Sequence, residues 1–581
     1  MHKTFIYRRQ YLTAYLSLMV LVYVGNSAFA QQPALAVSGA NELLSENIKS
    51  HVTFPNLTCD VAEGRLTRLL PSIRQQVVRA GRGLGYYRLV QQTDFLREDD
   101  CWQLMIEVEP GDPVLVAGVA VDIVQDASAF TEIVSDLPLK IGDQLNQGEY
   151  ERIKARLSTH AIEQGYFSAH FEYSELRLDL QANSAEVVIS FDPGARFSIG
   201  AISVEDTEFL AANFIRRYLS LSRGDPYSSN SLLTLRDTLN DSLYFSRVTV
   251  TPDPANALND EVPITIGLSL RPQRAYSIGG GLTTDIGPRL RADYENRYLN
   301  KEGHRVEANG GASPIRSNLD MRYRIPLADP ATESLVLSAG VLSEDTDSFN
   351  SDTFKVAAAY NSNTVYDWRR SLFVDYQYDN FELSGSEQTS DLLIAGVSLN
   401  RTEADNALYP SRGWRMFGQL RGASADVLSP ESFLQLNLAG KLITPIGPGR
   451  LLLKAELGAT LVDDINNLPI SIQYFAGGDQ SVRGYKYQSL GPSNDVGDVL
   501  GGKHLFSAGI EYDFFVLPSW KLAVFSDAGN AFDDFSDLEL NRSLGIGLRW
   551  LSPIGPIRVD LASAIDGDND FRVHITMGPD L

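Results

Sequence analysis

Phe475-Ala-Gly-Gly-Asp-Gln-Ser-Val-Arg-Gly-Tyr485-Lys-Tyr-Gln-Ser-Leu490 is a glycine-rich run carrying one arginine among small and aromatic residues. It is followed by segments of strict alternation. In His504 to Phe514, Phe506, Ala508, Ile510, Tyr512 and Phe514 share one face, and Ser507, Gly509, Glu511 and Asp513 the other. In Trp520 to Gly529, Leu522 and Val524 oppose Ala523, Phe525, Asp527 and Gly529. Period two therefore puts Glu511 and Asp527 on the strand faces poorer in large aliphatic side chains. If the sheet closes into a membrane barrel, that face is the lumen. An arginine folded inward would meet two carboxylates there, and a guanidinium suits bidentate carboxylate pairing.

At these residues the chain resembles a known family. Val482-Arg483-Gly484-Tyr485, then Gly509-Ile510-Glu511 and Phe525-Ser526-Asp527-Ala528-Gly529, resembles the signature of the BamA/TamA superfamily of outer-membrane assembly barrels. The longer run from Phe475 to Leu490 resembles its TamA branch. The resemblance implies a lumenal loop lock in which Arg483 pairs with Glu511 and Asp527, Gly484 allows a tight bend and Tyr485 packs over the loop. The bland alternative is an ordinary surface-loop arginine. The two acids on lumen faces favour the lock.

Strands of this texture begin near Tyr276. Leu434, Leu436 and Leu438 oppose Gln435 and Asn437; Leu544, Ile546, Leu548 and Trp550 oppose Gly545, Gly547 and Arg549. Phe571, Val573, Ile575 and Met577 oppose Arg572, His574, Thr576 and Gly578. Alternation with occasional inward charges is the pattern of an outer-membrane barrel, which must close because an open edge in lipid strands backbone groups. About seventeen segments qualify. Ser471 to Phe475 is the weakest and reads as the entry to the long loop, which leaves sixteen antiparallel strands over residues 273–581, the number the resemblance implies.

The family resemblance also implies a weakly paired seam between the first strand, near Tyr276 to Thr284, and the last, with Gly279, Gly280 and Gly281 on one side and Phe571, Val573 and Ile575 on the other. Glycines there either weaken the strand or make room for lumenal side chains. Pro579 has no N–H to donate, so ladder pairing should stop before it.

The first half of the chain repeats with a period of roughly 80 residues. Val108-Glu-Pro-Gly-Asp112, Phe191-Asp-Pro-Gly-Ala195 and Leu270-Arg-Pro-Gln-Arg274 each lead into a strand; Gly85-Tyr-Tyr87, Gly165-Tyr-Phe167 and Leu243-Tyr-Phe245 each follow a helical stretch. The third copy reads as a strand at Phe197 to Val204, a helix at Phe209 to Leu219, a second helix capped at Ser228 or Ser229, and two strands. This β-α-α-β-β order resembles the POTRA module, giving an α+β then all-β chain with POTRA units at 34–111, 112–194 and 195–272. A three-stranded sheet leaves an edge to which an extended peptide can add; the alternative is that the copies are spacers.

Lys3, Arg8 and Arg9, an apolar run from Tyr11 to Val24 and Ala28-Phe29-Ala30 read as a signal peptide over residues 1–30. In an exported chain the only two cysteines, Cys59 and Cys101, form either a disulfide or two free thiols, and export favours the bond. A formal charge of −23 argues against nucleic acid. Gly497 to Lys503 approaches a phosphate-binding loop, but His504 stands where Ser or Thr is needed and a strand follows instead of a helix. No histidine pair, nucleophile elbow or zinc cluster is spelled out, so the expectation is no enzyme, cofactor, nucleotide or metal. The resemblance implies an outer-membrane insertase for β-barrel clients such as autotransporters, lodged in the lipid bilayer with its POTRA units in the periplasm. It also implies a TamB-like inner-membrane partner. The rival is a two-partner-type secretion pore.

Overall fold

The computed structural model describes residues 34–53, 58–98, 101–125, 127–346, 349–364, 366–383, 386–494, 497, 499–553, 555–566 and 571–581. The expected signal peptide, residues 1–30, lies outside them.

Three modules of the same order come first. The first comprises β1 (Ala34–Ser38), α1 (Glu42–His51), α2 (Glu63–Thr67), α3 (Leu70–Gly83), β2 (Val90–Glu98) and β3 (Cys101–Glu109). The second comprises β4 (Leu115–Ile123), α4 (Thr131–Ser135), α5 (Gln147–Glu163), β5 (His170–Asp179) and β6 (Ser184–Asp192). The third comprises β7 (Ser198–Val204), α6 (Ala212–Arg216), α7 (Ser229–Asp241), β8 (Phe245–Pro252) and β9 (Glu261–Leu270). In each sheet the last strand of the module lies in the middle: β1-β3-β2, β4-β6-β5 and β7-β9-β8. The first two modules form one compact unit, and nearly all of the third belongs with the rest of the chain to a second.

Helical and strand periods meet in each core. In α5, Asn146 caps the first turn by accepting from the Gly148 N–H at 2.9 Å. Tyr150, Ile153, Leu157 and Ala161, spaced three and four apart, then bury against Val187, Ile189 and Phe191 of β6. The first aromatic of each landmark is core: Tyr86, Tyr166 and Tyr244 are all buried. The residue before each tyrosine ends the helix with a left-handed φ of 84°, 88° and 67°. Glycine fills that position twice, and Leu243 takes it in the third copy. Cys59 and Cys101 are joined in a disulfide.

The third module differs from expectation in its first helix, which spans only Ala212–Arg216 and not Phe209 to Leu219. The flanking apolar residues serve another contact. Phe209 packs on Tyr298, ring centres 5.1 Å apart, and the Ala211 N–H donates to the Lys301 carbonyl at 3.0 Å. Arg217 reaches the Pro326 carbonyl at 3.0 Å, and Tyr244 the Gly303 carbonyl at 2.5 Å. These bonds seat the module on the chain turns at one end of the barrel.

The barrel sheet has sixteen antiparallel strands in sequence order. They are β10 (Arg274–Thr283), β11 (Gly287–Asn296), β12 (Arg305–Ala312), β13 (Arg316–Pro326), β14 (Ser334–Asp345), β15 (Phe349–Asn363), β16 (Arg369–Leu383) and β17 (Ser386–Ala404). Then follow β18 (Gly413–Ala423), β19 (Phe433–Ile446), β20 (Gly449–Leu461), β21 (His504–Leu517), β22 (Trp520–Phe532), β23 (Asn541–Ser552), β24 (Gly555–Ala564) and β25 (Phe571–Met577). Alternation behaves as read: Leu434, Leu436, Leu438, Leu544 and Ile546 are exposed on the outer face, whereas Gln435, Ser543 and Arg549 are buried. An apolar exterior over a polar interior is what lipid on one side and a filled lumen on the other demand. Ser471 to Phe475 is not a barrel strand; it enters the 462–503 connection, where Tyr474 bridges to Gly502.

Candidate functional site

The connection between β20 and β21 departs from the barrel end opposite the third module and folds into the lumen. Tyr474, Ala476, Val482, Leu490, Leu505 and Ala531 form its apolar core, with Tyr485 packed against it. Gln435 fixes its base by donating to the Ile472 carbonyl at 2.8 Å. A cavity of about 1030 Å³ remains beside the early strands, lined in part by Gly279, Gly280 and Gly281.

Arg483 sits at the inner end of this loop, 7 % exposed. Its Nε and Nη2 donate to Asp527 Oδ2 and Oδ1 at 2.7 and 3.1 Å, and its backbone N–H adds a bond to Oδ2 at 3.2 Å. Nη1 reaches Glu511 Oε2 at 2.8 Å. The sequence-derived trio is thus in direct contact. Three more groups complete it. Arg483 Nη1 also donates to Asp560 Oδ2 at 3.0 Å. Arg549 bridges Glu511, at 2.7 Å, and Asp560. Lys454 lies 3.5 Å from Asp527. Three carboxylates against three cations leave the buried cluster formally neutral, the condition for tolerating charges out of water. The guanidinium also stacks 3.4 Å above the centre of the Phe525 ring.

The other lock residues hold the backbone. Gly484 has a φ of 98°, and a Cβ there would come within 3.2 Å of the Ala564 nitrogen. Its N–H donates to His574 Nε2 at 2.8 Å. Tyr485 donates its hydroxyl to the Asp566 carbonyl at 2.9 Å. Gly529 lies under Val482, whose Cγ2 would be 3.0 Å from a Cβ at that position.

The seam residues are placed differently. The strand order runs from β10 to β25 with no ladder joining the two ends among the described residues. Ile278 beside the glycines is 88 % exposed, and a Cβ on Gly279 would meet nothing within 4 Å. A Cβ on Gly281 would reach 2.9 Å from Arg289 Nε, so that glycine does make room for a side chain. Phe571, Val573 and Ile575 pair with Ser563, Leu561 and Val559 of β24. Toward β10, the Ile575 N–H instead donates to Thr284 Oγ1 at 3.1 Å.

After Met577 the strand ends at Gly578, with a φ of 135°; its N–H still donates to the Pro556 carbonyl at 3.1 Å, and the proline that follows has no N–H to continue the ladder. Asp580 turns inward between Arg450, at 2.7 Å, and Arg558, at 3.0 Å. Arg558 also donates to the Gly578 carbonyl at 2.7 Å. Sequence reading did not anticipate this anchor. Its only signal was the Asp580 carboxylate, the one charged side chain from Gly578 to Leu581.

Comparison with known proteins agrees with this architecture. The model of the Omp85 superfamily domain matches residues 289–580, and that of POTRA domain 1 of TamA matches residues 34–110. Outer membrane protein assembly factor BamA of Nitratidesulfovibrio vulgaris is 22 % identical over 466 residues, 75 % of this chain and 58 % of that protein. The protein of the same name from Neisseria meningitidis serogroup B is 22 % identical over 486 residues, 71 % of this chain and 60 % of its own. The chain therefore spans less than two thirds of the length of these relatives. The crystal structure of BamA from Haemophilus ducreyi lacking POTRA domains 1–3 shares the fold. It has a TM-score of 0.65 at 17 % identity, over 80 % of this chain and 99 % of that one. With a TamA-type POTRA module at its start and an Omp85 domain matched over half its length, this chain belongs to the Omp85 superfamily.

Proposed function

We propose that the protein is an outer-membrane assembly factor, not an enzyme, which inserts β-barrel clients by offering them a strand edge at its seam. The observation that carries this reading is that, among the described residues, no ladder joins β10 to β25. Unpaired backbone groups facing lipid are costly. A client strand laid along β10 satisfies them on both chains while it enters the bilayer. The driving free energy is the client's own folding. The lock at Arg483 supports the same reading by holding β21 to β24 in shape while the other side of the barrel yields.

On this reading the POTRA modules occupy the periplasm and pass clients to the seam. By its likeness to the TamA branch, the protein takes autotransporters among its clients and works with a TamB-like partner. Deleting the gene and measuring the outer-membrane abundance of other barrel proteins tests the assignment. Selective loss of those proteins is expected. Steady conductance of the purified protein with no assembly defect would instead support a secretion pore.

A further inference from the structure

The tip of the first hairpin, the inward loop and the last strand meet in one partly buried polar cluster. Asp285, in the turn between β10 and β11, accepts the Asp479 N–H at 2.8 Å. Asp479 Oδ1 accepts from Thr284 Oγ1 at 2.9 Å and lies 2.5 Å from His574 Nδ1. Thr284 in turn accepts the Ile575 N–H. Asp479 Oδ2 has no hydrogen-bond partner, although its side chain is only 3 % exposed.

Two carboxylates and an imidazole within 4.8 Å of one another are spaced to suit a cation. The imidazole argues against one. The Gly484 N–H donates to Nε2, which leaves the ring proton on Nδ1, where it faces Asp479 and blocks coordination. A proton on Asp285 resolves the conflict more simply, since its carboxyl group is taken partly out of water beside a second carboxyl group.

We propose that Asp285 holds a proton against Asp479, and that this proton latches the tip of the first hairpin to the inward loop beside the last strand. The idea deepens the seam reading above and rests on it. While the proton is held, Thr284 and Asp479 tie β10 to β25. When it leaves, two carboxylates repel and the hairpin tip is released.

Burial, then the neighbouring Asp479 charge, pushes Asp285 up to about 7. A carboxyl group raised in the fold adds stability at pH below its unfolded value of 3.8, and loses it as pH rises toward 7. The latch therefore weakens on the alkaline side. The groups facing the pair are His574 from β25 and Tyr487 from the loop. Arg316 and Glu344 act on Tyr487, and Lys441, Lys454, Arg483, Arg558, Glu511 and Asp580 line a cavity together with Asp479.

Spin labels on Leu282→Cys and Val573→Cys in the purified full-length protein, without client, report the seam distance at pH 6 and pH 8. The native cysteines are bonded to each other and do not label. Asp285, raised toward neutrality, is more fully protonated at the lower pH than at the higher. The separated population should therefore rise several-fold. Asp285→Asn, whose amide can donate to Asp479, should keep the seam closed at both values; Asp285→Ser serves if the amide variant does not fold. The proposal is overturned by an unchanged pH response in the variants, by no response in the parent, or by a response abolished by a chelator. A seam open at both values in both variants would reduce the contact to a structural one and overturn it equally. Client insertion is not measured, so failure here leaves the assembly function to its own test.

Discussion

Arg483 and Asp527 meet side-on. Two nitrogens of one guanidinium donate to the two oxygens of one carboxylate, and the arginine's own N–H adds a third bond. One residue comes from a loop and the other from a barrel strand, so this contact converts a connection of some forty residues into a plug fixed in rotation and depth.

Replacing Arg483 by Ala leaves Asp527, Glu511 and Asp560 facing one another with Arg549 and Lys454 as the remaining partners. Breaking a buried pair on one side costs about 3–5 kcal/mol. We expect the barrel to lose heat-modifiability on gels at a lower temperature, while the first two modules keep their circular-dichroism signal. Arg483→Lys should recover only part of the loss, because an ammonium cannot span both oxygens.

Gly484→Ala puts a side chain on a left-handed residue wedged against β24. Strain at such a φ costs about 1 kcal/mol or more, and the close approach adds to it. The loop should become accessible to protease between Phe475 and Leu490, read as a new cleavage site in the folded protein.

Asp580→Asn removes the charge held between Arg450 and Arg558. Charge-assisted bonds of this kind contribute about 1.5–3 kcal/mol, so tail release should rise by about tenfold or more. Carboxypeptidase digestion of the folded protein measures it. A tail digested no faster than in the parent would show the anchor to be idle.

Reducing the Cys59–Cys101 bond opens a loop of 42 residues, which by chain entropy is worth up to about 4 kcal/mol. We expect a reductant to lower the melting temperature of the first module while barrel heat-modifiability stays unchanged.

The sequence made the strand faces legible because period two survives any error in strand ends. Glu511, Asp527 and His574 were all assigned to inward faces on that ground. What it hid was which inward residues meet. Asp560, Arg549 and Lys454 join Arg483 because the ladder registers line them up with Glu511 and Asp527 on one face of the consecutive strands β20 to β24, and the alternation fixes the face but not the register. The helix at Phe209 to Leu219 was over-read for a similar reason. Phe209 and Leu210 look like an amphipathic continuation, yet both lie outside the helix, with Phe209 packed on Tyr298 of the barrel. The latch at Asp479 was invisible, since it needs a hairpin turn, a loop and a strand from three distant parts of the chain.

The central claim is that the seam between β10 and β25 opens for a client strand. A short thiol-reactive crosslinker between cysteines placed at Leu282 and Val573, applied to the protein in liposomes, tests it most directly. The account predicts that the locked barrel stays folded and stops inserting a β-barrel client, and that cleaving the linker restores insertion. Client insertion at the parental rate with the seam locked would contradict it.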